Sequence, residues 1–273
     1  MGQRIRDLGV WAVLLAYTGV VAVPLYLMLV SSMKTTRQIY ASPLSPPPSV
    51  SLDNFSTAWR EAHFSTYFVN SVIVTVAAVV LILAVSVAAS FPMSRYRQRW
   101  LSVLLMFFLL GLMLPVRLGV VQLFLLFRDI DQIDKLTGLI LIYVGIRIPF
   151  AVFVISSFMR TIPREMEEAA RIDGASEWQV LRHIFVPLVR PALAIVAIFS
   201  AIAVWNDFFF PLIFIYSDEL KTIPLGLATF MGQYRSDWGA LFAGLTISSV
   251  PLVVLYLFTS RQVREGIATG GVR

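Results

Sequence analysis

Glu168-Ala-Ala-Arg-Ile-Asp-Gly-Ala-Ser-Glu-Trp-Gln-Val-Leu-Arg-His-Ile-Phe-Val-Pro-Leu-Val-Arg-Pro191 is a long polar, charged insert between two strongly apolar runs. Its local chemistry predicts two short helices joined by a sharp turn. Pro163 suits a first helical turn, where its missing N–H costs nothing. Glu165, Glu167 and Glu168 then sit near the positive end of the helix dipole. Asp173-Gly174 is a turn signal, because glycine takes positive φ without strain. Ser176 stands three residues before Gln179, the spacing of a capping box that opens a second helix. Trp178, Leu181 and Phe185 share a face of that helix, with Ile184 beside them. Pro187 and Pro191 are expected to close it and lead into the next apolar run. The result is a compact helical elbow at a membrane face.

The rest of the chain supplies the membrane. Of 273 residues, 58% are hydrophobic and only 14% charged, where a soluble domain carries about a quarter charged residues. Runs near the ~20 residues needed to cross a bilayer fall at about 8–30, 67–91, 101–127, 136–158, 192–216 and 239–260. An all-α polytopic membrane protein with six transmembrane helices follows, a single transmembrane domain over 1–273 with a loop at about 159–191. The first run is too long for a signal-peptide core and has no small-x-small cleavage site, so it is kept as a helix. Pro115 and Arg117 interrupt the third run, which predicts a kinked or split helix. Between the first two runs, Pro43 and Pro46-Pro47-Pro48 predict extended or irregular chain. Leu52 to Trp59 reads as a short amphipathic helix. The chain has no cysteine and only two histidines, His63 and His183, far apart in sequence; thiol chemistry is excluded and no metal cluster is expected.

Basic residues orient the spans. With the N-terminus inside, Arg95, Arg97, Arg99, Arg160, Arg164, Arg171 and Arg182 gather on the inner side, and 13 of the 22 Lys+Arg do so in all. Seven, among them Lys34, Lys135 and Lys221, lie outside, and Arg117 and Arg147 lie within spans. Both termini and the elbow are therefore expected in the cytoplasm. Arg147 in the fourth span and Asp207 in the fifth are costly in hydrocarbon, by about 2.5–3.5 kcal/mol at a helix centre. Asp207 and Arg147 are expected to face the bundle interior. Two readings stand open there: a hydrated solute path, which with Trp205 and Asn206 would offer ring faces and hydrogen bonds to a sugar, or a polar contact between helices. Arg117, nearer the outer boundary, is expected to reach water.

The pattern Glu168-Ala169-Ala170, Gly174 four residues on, then Ile184 and Pro187 resembles the EAA loop of permease subunits of binding-protein-dependent ABC importers. Val186 stands where that pattern usually has leucine. Asn70-Ser71, Trp205-Asn206-Asp207-Phe208 with Pro211-Leu212, Thr222 to Gly226 with Gln233-Tyr234, and Arg264 to Arg273 are similar to carbohydrate permeases of the maltose-permease second-subunit type. The resemblance implies an ABC importer type I permease fold with a cytoplasmic coupling-helix elbow. It implies that Glu168, Ala169, Ala170, Asp173, Gly174, Ile184 and Pro187 couple this subunit to an ATPase. A second homologous permease, two cytoplasmic ATPase subunits holding ATP and Mg, and an extracytoplasmic solute-binding protein are the implied partners, in a prokaryotic inner membrane. The chain has no Gly-x-x-x-x-Gly-Lys-Ser/Thr phosphate loop, so it is expected to be no enzyme but a translocation subunit for a sugar or related polar solute. The rival reading is an ion-coupled secondary transporter using Asp207, for which no internal inverted repeat is evident.

Overall fold

The structure is a computed structural model that describes residues 2–60, 63–231 and 237–270, with side chains described for 7, 9–60, 63–231 and 237–257 of these. Gln233 and Tyr234 lie outside the described residues, as do the side chains of the closing stretch from Arg264. The helices in chain order are α1 (Gly2–Ser31), α2 (Thr36–Ala41), α3 (Asp53–Arg60), α4 (Phe64–Arg95), α5 (Arg99–Met113), α6 (Val120–Asp129) and α7 (Leu136–Arg160). They continue with α8 (Arg164–Ile172), α9 (Glu177–Val180), α10 (Val186–Leu188), α11 (Arg190–Trp205), α12 (Phe209–Phe214), α13 (Ile223–Leu227) and α14 (Trp238–Gly270). Four of them, α1, α4, α7 and α14, contain stretches long and apolar enough to cross a membrane alone. Two bent pairs, 99–113 with 116–129 at 86° and 177–188 with 190–205 at 74°, bring the number of candidate spans to six if each pair is one span.

The third run is split, and its chemistry explains where. Leu114, before Pro115, is extended (φ −77°, ψ 125°), as the residue preceding a proline prefers. A 3-10 turn, Val116–Gly119, then leads into α6. Pro149 inside α7 is accommodated by its neighbour: a Cβ on Gly111 would stand 3.3 Å from Pro149 Cγ, so glycine lets α5 approach the proline ring closely. Met93, Leu101 and Val152 form a buried core with Leu105, Phe108 and Ile148 packed around it.

The chain divides into two compact units. One comprises Met1–Phe68 with Leu225–Val250, the other Val69–Pro224 with Pro251–Arg273. In the first, the proline-bearing segment wraps the ammonium of Lys34, which is 1% exposed. Its Nζ donates to the carbonyls of Ser42 (2.9 Å), Pro43 (3.3 Å) and Ser45. The amphipathic helix is α3, and the segment also contains α2, opened by a Thr35–Gln38 capping box. In the second unit, Asp134 ties the loop before α7 to the chain after α12: its carboxylate accepts from the N–H groups of Tyr216 and Ser217, each at 2.9 Å, and from the Ser217 hydroxyl. Burial pushes the Asp134 carboxyl up, but these donors outweigh it and leave it below its ordinary value. At the head of α4, Asn70 donates to the carbonyls of Glu219 (2.7 Å) and Lys221 (3.0 Å), and the Ser71 hydroxyl accepts from the Ile223 N–H at 2.8 Å.

Candidate functional site

The elbow is built as two capped helices back to back. α8 ends in a Schellman motif: the Gly174 N–H bonds the Arg171 carbonyl (3.1 Å) and the Ala175 N–H bonds the Ala170 carbonyl (2.9 Å). Gly174 takes φ +83° to close that motif. Ser176 and Gln179 form the reciprocal capping box that starts α9. The second helix does not stop at Pro187. A π-helical stretch, Leu181–Phe185, joins α9 to α10, with the Val186 N–H reaching the carbonyl of Leu181. The wider turn absorbs a proline that lacks the donor of an ordinary α-turn. The chain instead breaks at Val189 (φ −91°, ψ 9°), and Pro191 opens α11 near its first position. The elbow therefore includes two more residues of helix, Pro187 and Leu188, than the proline rule suggests.

One side of the elbow is anchored and the other is bare. Val180 and Phe185 are fully buried and Leu181 is 7% exposed, while Ile172 is 86% and Trp178 65% exposed. Trp178 is thus turned away from the face that Leu181 and Phe185 share. Glu168 and Ala169 are exposed, and Ala170, Asp173, Gly174 and Ile184 line a shallow concavity of about 390 Å³ on the elbow. Pro187 is half-buried and does not line it.

The acid held inside is Glu167. Its carboxylate is 3.5 Å from Arg95 Nε, at the end of α4, with side chains 7% and 3% exposed respectively. Arg95 also donates to the Ile162 carbonyl at 2.8 Å and lies 4.4 Å over the Phe185 ring. Arg171 bridges Glu167 to Glu177, and Tyr96 donates to Glu177 at 2.8 Å. The sequence showed Arg95 only as one of the inner-side arginines; the signal that could have found this network is an Arg-Tyr pair ending an apolar span, against acids spaced around the elbow turn.

Asp207 does not lie in a helix, as expected for the fifth run, but in the break between α11 and α12, where it is a hub. The Tyr143 hydroxyl donates to its Oδ2 at 2.9 Å, and the Phe210 N–H, in the first turn of α12, donates to the same oxygen at 3.0 Å. Arg117 reaches its other oxygen at 3.8 Å while 70% exposed itself, and stacks 5.1 Å over Phe209. Arg147 joins Tyr143, Arg117 and Asp207 in lining a cavity of about 280 Å³; among the described residues, the ion pair of Asp207 is with Arg117. The other two pathway candidates lie elsewhere. Asn206 is exposed at the end of α11 and donates to the Ile202 carbonyl at 2.8 Å. Trp205 is buried and lines a separate apolar cavity of about 310 Å³ with Val76, Ala201 and Pro251. Tyr143 was missed by sequence reasoning, because a tyrosine inside an apolar run carries no sign of its partner.

Comparison with known proteins completes the description of the site. Residues 81–265 match the family described as binding-protein-dependent transport system inner membrane component. The probable ABC transporter permease protein YurM of Bacillus subtilis is 37% identical over 98% of this chain and 89% of its own length. The diacetylchitobiose uptake system permease protein NgcG of Streptomyces coelicolor is 33% identical over 96% of this chain and 87% of its own. In fold, the chain superposes with a TM-score of 0.86, at 20% identity, on a chain of a bacterial ABC transporter involved in the import of the acidic polysaccharide alginate, covering 96% of this chain and 97% of that one.

Proposed function

This chain belongs to the family of binding-protein-dependent transport system inner membrane components, and from that membership we propose how its parts divide the work of import. It is a multi-pass permease subunit of an ABC importer. Its cargo is a carbohydrate; NgcG, similar over nearly the whole chain, is named for uptake of one. The chain works as one permease domain beside a second, homologous permease, with both termini and the elbow in the cytoplasm of a prokaryotic inner membrane. Two cytoplasmic ATPase subunits bind and hydrolyse ATP with Mg, and a solute-binding protein delivers cargo from the other side. Alternating access then follows from rocking of the permease bundles as the ATPases close.

The observation that carries this reading is the two-sided elbow. Phe185 is fully buried on its anchored side, while Ile172 is 86% exposed on the other. A rigid helix pair with a bare apolar ridge beside an exposed Glu168 suits a cleft in a partner, where the ridge is buried and the carboxylate meets a cation. Ala169 and Ala170 keep the surface low, Gly174 sets the turn with Asp173, and Ile184 and Pro187 shape its floor. Arg147 and Asp207, with Tyr143, give the bundle a polar cavity on the candidate solute path, and Trp205 and Asn206 flank the break beside it. Affinity purification of the tagged chain from its own membrane tests the coupling role. An ATPase bearing a phosphate loop and a second permease should come down with it, and Glu168→Arg or Gly174→Val should release the ATPase while leaving the chain inserted. A chain that purifies alone and transports without ATP would sink the reading.

A further inference from the structure

The elbow is tied to α4 by ionic and hydrogen-bonded contacts of two adjacent residues, and each grips a different helix of the elbow. Arg95 holds α8 through Glu167 at 3.5 Å, with both side chains nearly inaccessible to water. Tyr96 holds α9 through Glu177 at 2.8 Å. Arg171 closes the circuit by pairing with both acids, so the two elbow helices cannot shift relative to one another without breaking a contact to α4. Beneath them, the Phe185 ring sits under the Arg95 guanidinium and meets Phe91 edge-on, 5.0 Å between centroids. Opening so dry a pair leaves a buried charge uncompensated, which is costly, so the contact favours one arrangement of the elbow on α4.

We propose that Arg95 and Tyr96 are positioning residues that latch the elbow to α4, so that displacement of the elbow by the ATPase is delivered to α4. The inference rests on the coupling role proposed for the elbow. It assigns the route by which motion enters the bundle, and it predicts that docking and transmission are separable.

The chain has no cysteine, so single reporters can be placed by substitution. In the purified importer complex, Glu165→Cys marks the elbow and Val80→Cys, exposed at 58%, marks α4. Each is spin-labelled, and its spectrum is compared with and without a non-hydrolysable ATP analogue and Mg. Two latch variants are used: Tyr96→Phe, which removes one hydroxyl, and the double change Arg95→Met with Glu167→Gln, which leaves no unpaired buried charge in that pair. The native complex should respond at both reporters. In the variants the elbow reporter should respond as before, while the α4 response falls about threefold with Tyr96→Phe and about tenfold with the double change, the range expected for contacts along a coupling route. Arg95→Lys, which keeps the charge, should recover part of the response. An α4 response unchanged in both variants, or absent in the native complex while the elbow responds, overturns the latch. So does loss of the elbow response in the variants, which makes these contacts a folding feature only. A native elbow that does not respond to nucleotide at all removes the coupling role, and the latch with it.

Discussion

A methyl group added at Gly174 and one added at Gly138 would fail for different reasons. At Gly174 nothing lies within 4 Å of the new Cβ, and the obstacle is the φ of +83°. An L-residue there costs about 1–2 kcal/mol, small enough for the chain to insert and fold with the turn distorted. Gly174→Val should therefore leave the protein in the membrane at ordinary abundance while the ATPase no longer stays bound to it and uptake fails; immunoblotting of membranes beside uptake assays checks both halves. At Gly138 a Cβ would meet the Gln132 carbonyl oxygen at 2.1 Å, and backbone must move. Gly138→Ala should lower abundance first. The Asp207 hub makes a second contrast. Arg117 reaches Asp207 only at 3.8 Å and is itself 70% exposed, which makes it the looser of the two contacts. Tyr143 is 5% exposed, and its hydrogen bond to a carboxylate is worth about 1.5–3 kcal/mol. Tyr143→Phe should destabilise the purified protein measurably in a denaturant titration, and Arg117→Gln should leave the midpoint unmoved.

Among the elements, the loop before α7 offers a pH test with a definite sign. Asp134 accepts bonds from Tyr216 and Ser217, and its folded carboxyl titrates below the ordinary 3.8. A carboxyl lowered on folding contributes stability that is fully present above its unfolded value and is lost as pH falls through the folded one. Protection of the Tyr216 and Ser217 amides against hydrogen exchange, relative to free peptide at the same pH, should thus hold from neutral pH down to about that unfolded value, and fall only in stronger acid. In Asp134→Asn, which cannot carry the charge, exchange should be faster at neutral pH too. This loop also marks the limit of what the sequence makes legible. The capping box at Ser176 and the turn at Gly174 are local chemistry, so they are readable and the structure has them. The break of the third run was readable because a proline restricts its own neighbours. The π-helical stretch at Leu181–Phe185 was not, since the proline it accommodates lies outside it and reads in sequence as a helix end. The contacts of Asn70, Ser71, Tyr143 and Arg95 span 64 to 152 residues of sequence, and no pattern in one chain announces partners so distant. Trp205 shows the same limit: closeness to Asp207 in sequence suggested a shared site, yet α11 ends at Trp205, Asp207 lies past that end, and the two side chains line different cavities.

At the scale of the whole molecule, the parity of membrane crossings is decided by the pair α5 and α6, bent by 86°. A helix rises about 1.5 Å per residue, so the 15 residues of α5 and the 10 of α6 reach about 22 and 15 Å. Joined at a right angle, they separate their far ends by about 27 Å, close to the ~30 Å of the hydrocarbon core. A re-entrant loop would instead return Asp129 to the side of Arg97, and α7 would then carry the elbow to the opposite side from the end of α4. The contacts of Arg95 with Glu167 and of Tyr96 with Glu177 oppose this outcome, because they hold the end of α4 and the elbow on one side, and basic-residue bias agrees. Crossing by the bent pair is therefore expected. Three single-cysteine variants, Arg97→Cys, Asp129→Cys and Glu165→Cys, can be labelled in intact cells with a membrane-impermeant maleimide. Asp129→Cys alone should react before the membrane is opened, and the other two only after. Protection of Asp129→Cys together with Arg97→Cys would make the third run re-entrant and would leave five crossings in place of six.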